Sequence, residues 1–393
     1  MEGFAGFLVE RGYPVGPIRQ HFRTAREVDA RLRRRRCRAV ADITRAALRA
    51  CGPPIGRSQD DPLIAGMLRL LEVYLEGRGV FPTPSVEPSP VAARLSDYQN
   101  YLEEVRGLAA STVRSHLTTA GEFLARVCGN KGLTQLSSLG PMQVEGFVRL
   151  SGRRLSRESL QHVIAHLRSF LRYLSLRGDA RGGLDGQIDT PRIYRGERLP
   201  RALPWETVTR LLASIDRSTP RGRRDHAMFM LIVTYGLRTS EVVRLKLDDI
   251  EWRAGRLCVY QRKTAAPLEL PLTDEVATSL VAYLRRGRPA VPYREVFVRH
   301  RAPAGLLKPT AVTEAFQAWS RRSGLGIPFQ GPHCLRHSYA VRLLRRGVPL
   351  KAIGDVLGHR TMESTSVYLR LAVEDLRGVA LDLPDASRPR RQR

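Results

Sequence analysis

The stretch Pro332-His333-Cys334-Leu335-Arg336-His337, followed by Gly358-His359 and then by Tyr368, is the most informative part of this chain. Pro332 suits the first turn of a helix, where its missing N–H costs nothing, and Gly347 is a suitable stop. In such a helix His333, Arg336 and His337 fall at i, i+3 and i+4 and share one face. The planar fork of an arginine matches two oxygens of a phosphate. The stretch therefore predicts a phosphate-binding helix face, although a solvated Arg-His face in a basic protein is the simpler alternative.

The composition favours a nucleic-acid partner. The 393 residues carry 65 Lys plus Arg against 38 Asp plus Glu, a formal net charge of +27. The excess is spread along the chain, which suits an extended polyanion better than a small acidic ligand. The length is sufficient for more than one domain. A GC-rich genome explains the choice of Arg over Lys but not the net charge.

Cysteines and hydrophobic runs argue against a secreted or membrane protein. The five cysteines form no C-x-x-C pair, so neither a disulfide framework nor a zinc site is expected. The N-terminus lacks the basic and apolar regions of a signal peptide, and no apolar run approaches the ~18 residues of a membrane span. We expect a cytoplasmic protein in a reducing compartment.

The N-terminal part is predicted to be a helical accessory domain over residues 1–80. Leu32, Val40, Ile43 and Ala47 recur near a 3.6-residue period, which predicts one helix around them, and a second helix is expected from Leu63 to Leu75. Residues 81–94 begin with four prolines in ten residues. Such a segment cannot hold a helix, so we expect a linker and a domain boundary there.

The rest of the chain predicts a mainly α fold with a small antiparallel β-sheet. Residues 95–177 show four amphipathic helical patterns, residues 178–200 form a polar linker, and residues 201–379 form the last folded domain. Short runs at 257–260 and 268–272 predict a hairpin. Further helices are expected near 205–215, 224–235, 239–247, 310–323, 332–346, 350–357 and 361–376. The basic tail 380–393 is expected to be disordered.

Three other positions could contribute to chemistry. Arg238 lies at a helix start with Glu241 three residues later, a spacing that lets the carboxylate orient the guanidinium or form an ordinary surface ion pair. Lys263 stands at the hairpin turn of a chain with few lysines, and a lysine can release a proton where an arginine cannot; an ordinary lysine in a solvated turn is an equally good interpretation of this position alone. Tyr368 is a nucleophile toward phosphorus only where cations stabilise its phenolate; alone, it is more typical of a packing residue.

These motifs together resemble the tyrosine recombinase (phage integrase) family over roughly Leu95 to Val379. The matching positions are Gly236-Leu-Arg238 with Ser240-Glu241, Lys263, His333-x-x-Arg336-His337, Leu357-Gly-His359 and Tyr368. The resemblance implies a core-binding helical domain and a catalytic domain that form a C-shaped clamp around DNA. It leaves residues 1–90 without an assignment.

The resemblance also implies how each site residue acts on a scissile phosphate. Arg238 and Arg336 would grip the non-bridging oxygens, and His333 and His359 would add hydrogen bonds. The reaction would be a site-specific strand cleavage and rejoining that needs neither ATP nor a metal or other cofactor.

Proton transfer and nucleophilic attack fall to other residues in this resemblance. Lys263 would protonate the leaving 5′-oxygen, with its neighbour Arg262 as the fallback. Tyr368 would attack phosphorus and remain attached as a 3′-phosphotyrosine. Glu241 and His337 would support the site without touching the phosphate.

The expected partner is double-stranded DNA with specific recombination sites, bound by a homotetramer in the bacterial nucleoid. Contacts to DNA are expected from Arg114, Arg168, Arg172 and Arg262. The segment Leu371 to Leu383 would pack on a neighbouring protomer or fold back on its own domain.

The role of residues 1–80 and the activity of the whole chain each have more than one interpretation. Residues 1–80 could bind DNA through Arg31 and the run Arg33 to Arg36, or could form a helix pair that contacts a partner recombinase or another protomer. The basic run is also compatible with an ordinary solvated helix face, and accessory proteins are further candidate partners of the chain. The whole chain could be an active integrase or transposase, or a catalytically silent DNA-binding subunit with the same fold. A type IB topoisomerase shares the tyrosine chemistry but fits the spacing between His359 and Tyr368 less well.

Overall fold

The structure is a computed structural model that describes residues 2–52, 62–81, 89–129, 132–193, 200–260, 267–359 and 361–371. Lys263 and Arg262, residues 82–88 of the predicted linker, most of the segment from Leu371 to Leu383 and the basic tail lie outside these residues. The predicted linker 81–94 is too long, because a helix begins at Pro90, where proline is tolerated in the first turn.

The described residues form a mainly helical protein with one three-stranded antiparallel sheet, which confirms the predicted fold class. The helices are α1 (Glu2–Glu10), α2 (Val15–Arg34), α3 (Arg45–Arg49), α4 (Pro62–Gly77), α5 (Pro90–Asn100), α6 (Ala110–Cys128), α7 (Pro141–Arg154), α8 (Arg157–Leu176), α9 (Trp205–Ala213), α10 (Pro220–Tyr235), α11 (Thr239–Val242), α12 (Asp274–Arg286), α13 (Pro309–Ser323), α14 (His333–Arg345), α15 (Leu350–Leu357) and α16 (Glu363–Ser366). The strands are β1 (Ile250–Glu251), β2 (Arg256–Tyr260) and β3 (Pro267–Pro271).

One compact unit is the helical bundle within Pro82–Glu197. A π-helical turn, Tyr101–Val105, continues α5, and α6, α7 and α8 complete the four predicted amphipathic helices. Aromatic and aliphatic side chains such as Phe123, Leu167 and Phe170 are fully buried between them. This core forms because each helix turns one apolar stripe inward, as the 3.6-residue period requires.

The other compact unit contains the described residues of Met1–Phe81 and Arg198–Arg393. Its central helix, α10, is buried along most of its length and packs against α12 and α14. The predicted hairpin is present, with Val259 paired to Leu268, and β1 adds a third strand that the sequence analysis missed. Helix α12 was also missed, although Val276, Leu280 and Tyr283 recur at helical spacing and are buried.

Three helix predictions in this unit differ in extent from the structure. The helix expected around Leu32 to Ala47 ends at Arg34, because Arg36 adopts a left-handed φ of 65° and the N–H of Cys37 donates to the Leu32 carbonyl. The helix expected from 239 to 247 is the single turn α11. The interval expected to be helical up to residue 376 contains α16 followed by a 3-10 segment, Val367–Leu371, in its described part.

The N-terminal helices α1 to α4 enclose a small core of their own, with Leu8, Val28, Leu48 and Met67 at its centre. All five cysteines are free thiols. Among the described helices, none combines the length and the apolar character that crossing a bilayer requires.

Candidate active site

The site begins at Gly236, where α10 ends. Gly236 has a φ of +67°, and a Cβ there would lie 2.5 Å from Leu357 Cδ2 and 2.9 Å from Tyr339 Cδ1. Both the left-handed backbone and the close packing therefore require glycine. The chain turns sharply at this residue, and Arg238 follows two positions later as the N-cap residue of α11.

Arg238 is held by the helix that it opens. Its Nη1 donates to Glu241 Oε1 at 2.8 Å, and its backbone N–H donates to Glu241 Oε2 at 2.7 Å. Its Nη2 donates to the carbonyl of Gly358 at 3.1 Å. Glu241 is buried, so this is an oriented, partly desolvated pair rather than a mobile surface contact.

Arg336 approaches from α14 and is only 3% exposed. Its Nη2 donates to the Leu357 carbonyl at 2.6 Å, and its Nη1 donates to the carbonyl of Gly236. Burial lowers the pKa of Arg336 to about 10, and the nearby Arg238 contributes to the decrease. The guanidinium nevertheless remains charged at neutral pH.

His333 and His337 lie one helical turn apart on α14, with ring centroids 4.4 Å apart. Nδ1 of His337 is 2.9 Å from the hydroxyl of Tyr368. Burial, and then repulsion from His333 and Arg336, lowers the pKa of His337 to about 4. His337 is therefore a neutral imidazole at pH 7, in direct contact with the tyrosine hydroxyl.

His359 follows Gly358, whose left-handed φ of 61° ends α15. Its Nδ1 lies 2.9 Å from Oγ1 of Thr365, a fully buried side chain. Its ring stacks on Tyr368 with the centroids 6.3 Å apart and an interplanar angle of 14°. Burial, then Arg336 and Arg238, lower its pKa to about 4. The two contacts fix the orientation of a neutral imidazole.

Tyr368 lies in the 3-10 segment after α16 and is 2% exposed. Burial raises the pKa of its hydroxyl, while Arg336 and Arg238 act in the opposite direction. The two guanidinium groups therefore stabilise the phenolate that a nucleophilic tyrosine must form.

The structure brings most of the residues selected from the sequence into one site. They are Arg238, Glu241, His333, Arg336, His337, His359 and Tyr368. Lys263 and Arg262 lie outside the described residues. The role of Thr365 is not predicted from the sequence, because a buried threonine carries no distinguishing signal in a polar segment.

The arginines expected to contact DNA from the helical bundle differ in exposure. Arg114 is exposed, and Arg172 is exposed with its Nε 3.9 Å from Asp185 Oδ2. Arg168 instead donates to the backbone carbonyl of Ile188. Within the described part of the chain, no group of three or more His, Cys, Asp and Glu side chains is arranged to hold a metal ion.

Two regions of this chain match models of known protein families, and several known proteins are similar to it over most of its length. Residues 201–375 match the model described as Phage integrase family, and residues 95–178 match Phage integrase, N-terminal SAM-like domain. Integrase/recombinase y4rA of Sinorhizobium fredii is 34% identical over 390 residues, covering 97% of this chain and 93% of that protein. Tyrosine recombinase XerD of Listeria monocytogenes is 32% identical over 291 residues, covering 72% of this chain and 96% of its own.

A solved structure shares the fold. The lambda integrase tetramer bound to a Holliday junction superimposes with a TM-score of 0.55 and 17% identity, covering 84% of this chain and 92% of that one.

Proposed function

The chain belongs to the phage integrase family and is a site-specific tyrosine recombinase that cleaves and rejoins DNA, and from this we propose that Tyr368 is its nucleophile. One observation carries the proposal: the buried Tyr368 hydroxyl contacts the neutral His337, while two fixed arginines oppose the rise that burial causes in the pKa of Tyr368. A lone packing tyrosine needs none of these neighbours.

Arg238 and Arg336 bind the scissile phosphate. Each guanidinium has five N–H groups and uses two of its nitrogens on protein oxygens, so further donors remain for phosphate. The two guanidinium groups and the Glu241 carboxylate together carry one net positive charge, because the imidazoles at positions 337 and 359 are neutral. A phosphodiester neutralises that charge, and the additional negative charge of the transition state is stabilised by donors that are already in place.

In the cleavage step, the Tyr368 oxygen forms a bond to phosphorus and the bond from phosphorus to the 5′-oxygen breaks. The product is a 3′-phosphotyrosyl bond and a free 5′-hydroxyl. The phenol proton passes to Nδ1 of His337, and Lys263 supplies the proton that the 5′-oxygen takes up. The reverse sequence, with a 5′-hydroxyl of another strand, rejoins the DNA.

Without DNA, the His337 imidazole is a poor acceptor for the Tyr368 proton, and bound DNA makes it a better one. With the His337 pKa near 4 and the Tyr368 pKa raised by burial, the proton stays on the tyrosine. A phosphate anion beside the imidazole raises the His337 pKa, because it stabilises the imidazolium. Strand cleavage is thereby coupled to occupation of the site.

His333 and His359 complete the phosphate site. Thr365 occupies Nδ1 of His359, which leaves Nε2 as the nitrogen that can donate to a phosphate oxygen. Glu241 keeps Arg238 in position and prevents repulsion between the two arginines from separating them, since its carboxylate interacts with both.

The proposal extends to DNA and assembly. Lambda integrase has been solved as a tetramer on a Holliday junction, and we propose that this chain also acts as a homotetramer on duplex recombination sites. Residues 95–177 would be its core-binding domain, with Arg114 and Arg172 on phosphates, residues 201–379 its catalytic domain and residues 1–80 an accessory domain.

The test is a covalent trapping experiment. Wild type, Tyr368→Phe and the control Tyr293→Phe are incubated in EDTA with end-labelled nicked duplexes tiled across the DNA that flanks the gene. We expect an SDS-resistant protein–DNA adduct with wild type and the control but not with Tyr368→Phe. An adduct with Tyr368→Phe would identify a different nucleophile, and retarded DNA that never becomes covalent with wild type would favour a binding-only protein.

A further inference from the structure

One side of α2 carries a row of arginines. Helix α2 contains six arginines but only two acidic residues, Glu27 and Asp29. At about 100° per residue, five of these arginines fall within an arc of about 100°, and all five are exposed: Arg19, Arg23, Arg26, Arg33 and Arg34. Val28 and Leu32, on the opposite side, are buried in the N-terminal core. The amphipathic pattern therefore fixes this arginine face toward solvent.

Both acidic residues of α2 form ion pairs with arginines of the same helix. Glu27 pairs with Arg31 at 2.5 Å, and Asp29 pairs with Arg33 at 2.8 Å. The other four arginines of the arc form no ion pair with any residue that the structure describes, and we call them the α2 arginine row: Arg19, Arg23, Arg26 and Arg34. Their charge is not neutralised within the described structure.

Two arginines in or beside the run Arg33 to Arg36 are bonded to backbone carbonyls of the N-terminal domain. Arg31 donates to the Cys51 carbonyl at 2.8 Å, and Arg35 donates to the Ala50 carbonyl at 2.9 Å. These bonds fasten the end of α2 to the residues after α3. The free charge lies instead along the length of α2.

We infer that the α2 arginine row binds the phosphate backbone of duplex DNA outside the cleavage site, an inference that rests on the proposed function. From Arg19 to Arg34 the row extends about 22 Å at 1.5 Å per residue. Over that length a duplex presents about 13 phosphate charges at one per 1.7 Å. The row is thus long enough to contact several phosphates.

The chemistry of the arc favours DNA over a protein partner. From Arg19 to Arg34 its only other residue is Ala30, so it offers no aromatic or large apolar side chain to anchor a protein interface. Guanidinium groups alone suit phosphate oxygens and carry no base specificity. The row therefore adds affinity without choosing the sequence.

The row is attached to the catalytic unit. The backbone N–H of Ala304 donates to the Arg11 carbonyl at 2.9 Å, and a Cβ at Gly12 would lie 3.2 Å from Ala304 Cβ. These contacts join the turn between α1 and α2 to the 299–305 loop. DNA on the row is thus held by the unit that carries Tyr368, which raises the effective concentration of DNA there.

The experiment measures the salt dependence of DNA binding by the full chain. Wild type and Arg19→Gln/Arg23→Gln/Arg26→Gln are titrated with a fluorescent 60-base-pair duplex of mixed sequence at several salt concentrations. The slope of log K against log salt is negative, and each lost phosphate contact reduces its magnitude by about 0.9. We therefore expect the magnitude of the slope to decrease by about two to three.

Two further variants and a stability measurement make the result specific. Arg33→Gln/Arg45→Gln/Arg49→Gln removes the same charge from arginines paired with Asp29, Glu76 and Glu72, and we expect less than half of the effect. Arg19→Lys/Arg23→Lys/Arg26→Lys should restore the wild-type slope. Thermal unfolding of each variant separates a folding defect from a binding defect.

Equal slopes for wild type and the Gln triple variant would overturn the inference, as would an equal loss in the paired-arginine control. The covalent adduct is measured with the same preparations. A wild type that forms no adduct would refute the proposed function, whereas an adduct with unchanged slopes would refute only the role of the row.

Discussion

Gly236→Ala tests whether the turn after α10 organises both arginines. The substitution places a Cβ in a left-handed backbone conformation, which costs about 1–2 kcal/mol. It also places that Cβ 2.5 Å from Leu357 Cδ2 and 2.9 Å from Tyr339 Cδ1, and such overpacking typically costs about 1–3 kcal/mol. The free energy of unfolding of the catalytic unit should therefore decrease by about 2–5 kcal/mol.

Gly324→Ala is the matched control. Gly324 also ends a helix, with a φ of +64°, but a Cβ there has nothing within 4 Å. The free energy of unfolding of Gly324→Ala should therefore decrease only by the backbone contribution of about 1–2 kcal/mol. Urea unfolding of the two variants, followed by tryptophan fluorescence, isolates the packing contribution as their difference.

Gly236→Ala should also slow strand cleavage. The Gly236 carbonyl accepts from Arg336, and Gly236 lies two residues before Arg238, so any shift of this turn moves both phosphate-binding groups. Misplacement by about 1 Å can cost about a hundredfold in rate, and we expect adduct formation to slow at least tenfold. Equal stability of the two variants, or an unchanged cleavage rate in folded Gly236→Ala, would refute this account of the turn.

Two further predictions concern the imidazoles. The pKa values of His337 and His359 are lowered from 6.5 to about 4, so the unfolded state binds more protons between these values and the free energy of unfolding should fall as pH decreases from 6.5 to 4. His337→Gln should flatten that decrease in urea unfolding at several pH values, and parallel curves would contradict it. Thr365→Val, which removes the hydroxyl partner of His359, should slow adduct formation about tenfold while Thr365→Ser retains it. Equal rates in the two Thr365 variants would mean that this hydroxyl does not orient His359.

The parts of the site that depend on helical spacing were predictable from the sequence. Glu241 follows Arg238 by three residues, and His333, Arg336 and His337 occupy one side of α14, because the period of a helix fixes which neighbours meet. The four-helix bundle, the hairpin and the mainly helical fold class follow from the same local periodicity.

Contacts between distant segments could not be predicted in this way. The capture of Arg336 by the Gly236 and Leu357 carbonyls joins three chain segments, and any backbone carbonyl is an equally suitable acceptor before the chain folds. The contact between His337 and Tyr368 depends on how α14 packs against the last described segment. The helix break at Arg36 required a left-handed conformation that a non-glycine residue rarely adopts.

The carbonyl contacts of the two arginines limit how this recombinase can decay over evolutionary time. Arg238 and Arg336 satisfy the carbonyls of Gly236, Leu357 and Gly358, of which the first two are bound by the buried Arg336. Loss of Arg336 would leave two carbonyls without a partner, at about 1–3 kcal/mol for each buried group. Inactive copies should therefore accumulate substitutions at Tyr368 first, since phenylalanine retains its packing, and keep the arginines long after strand cleavage is lost.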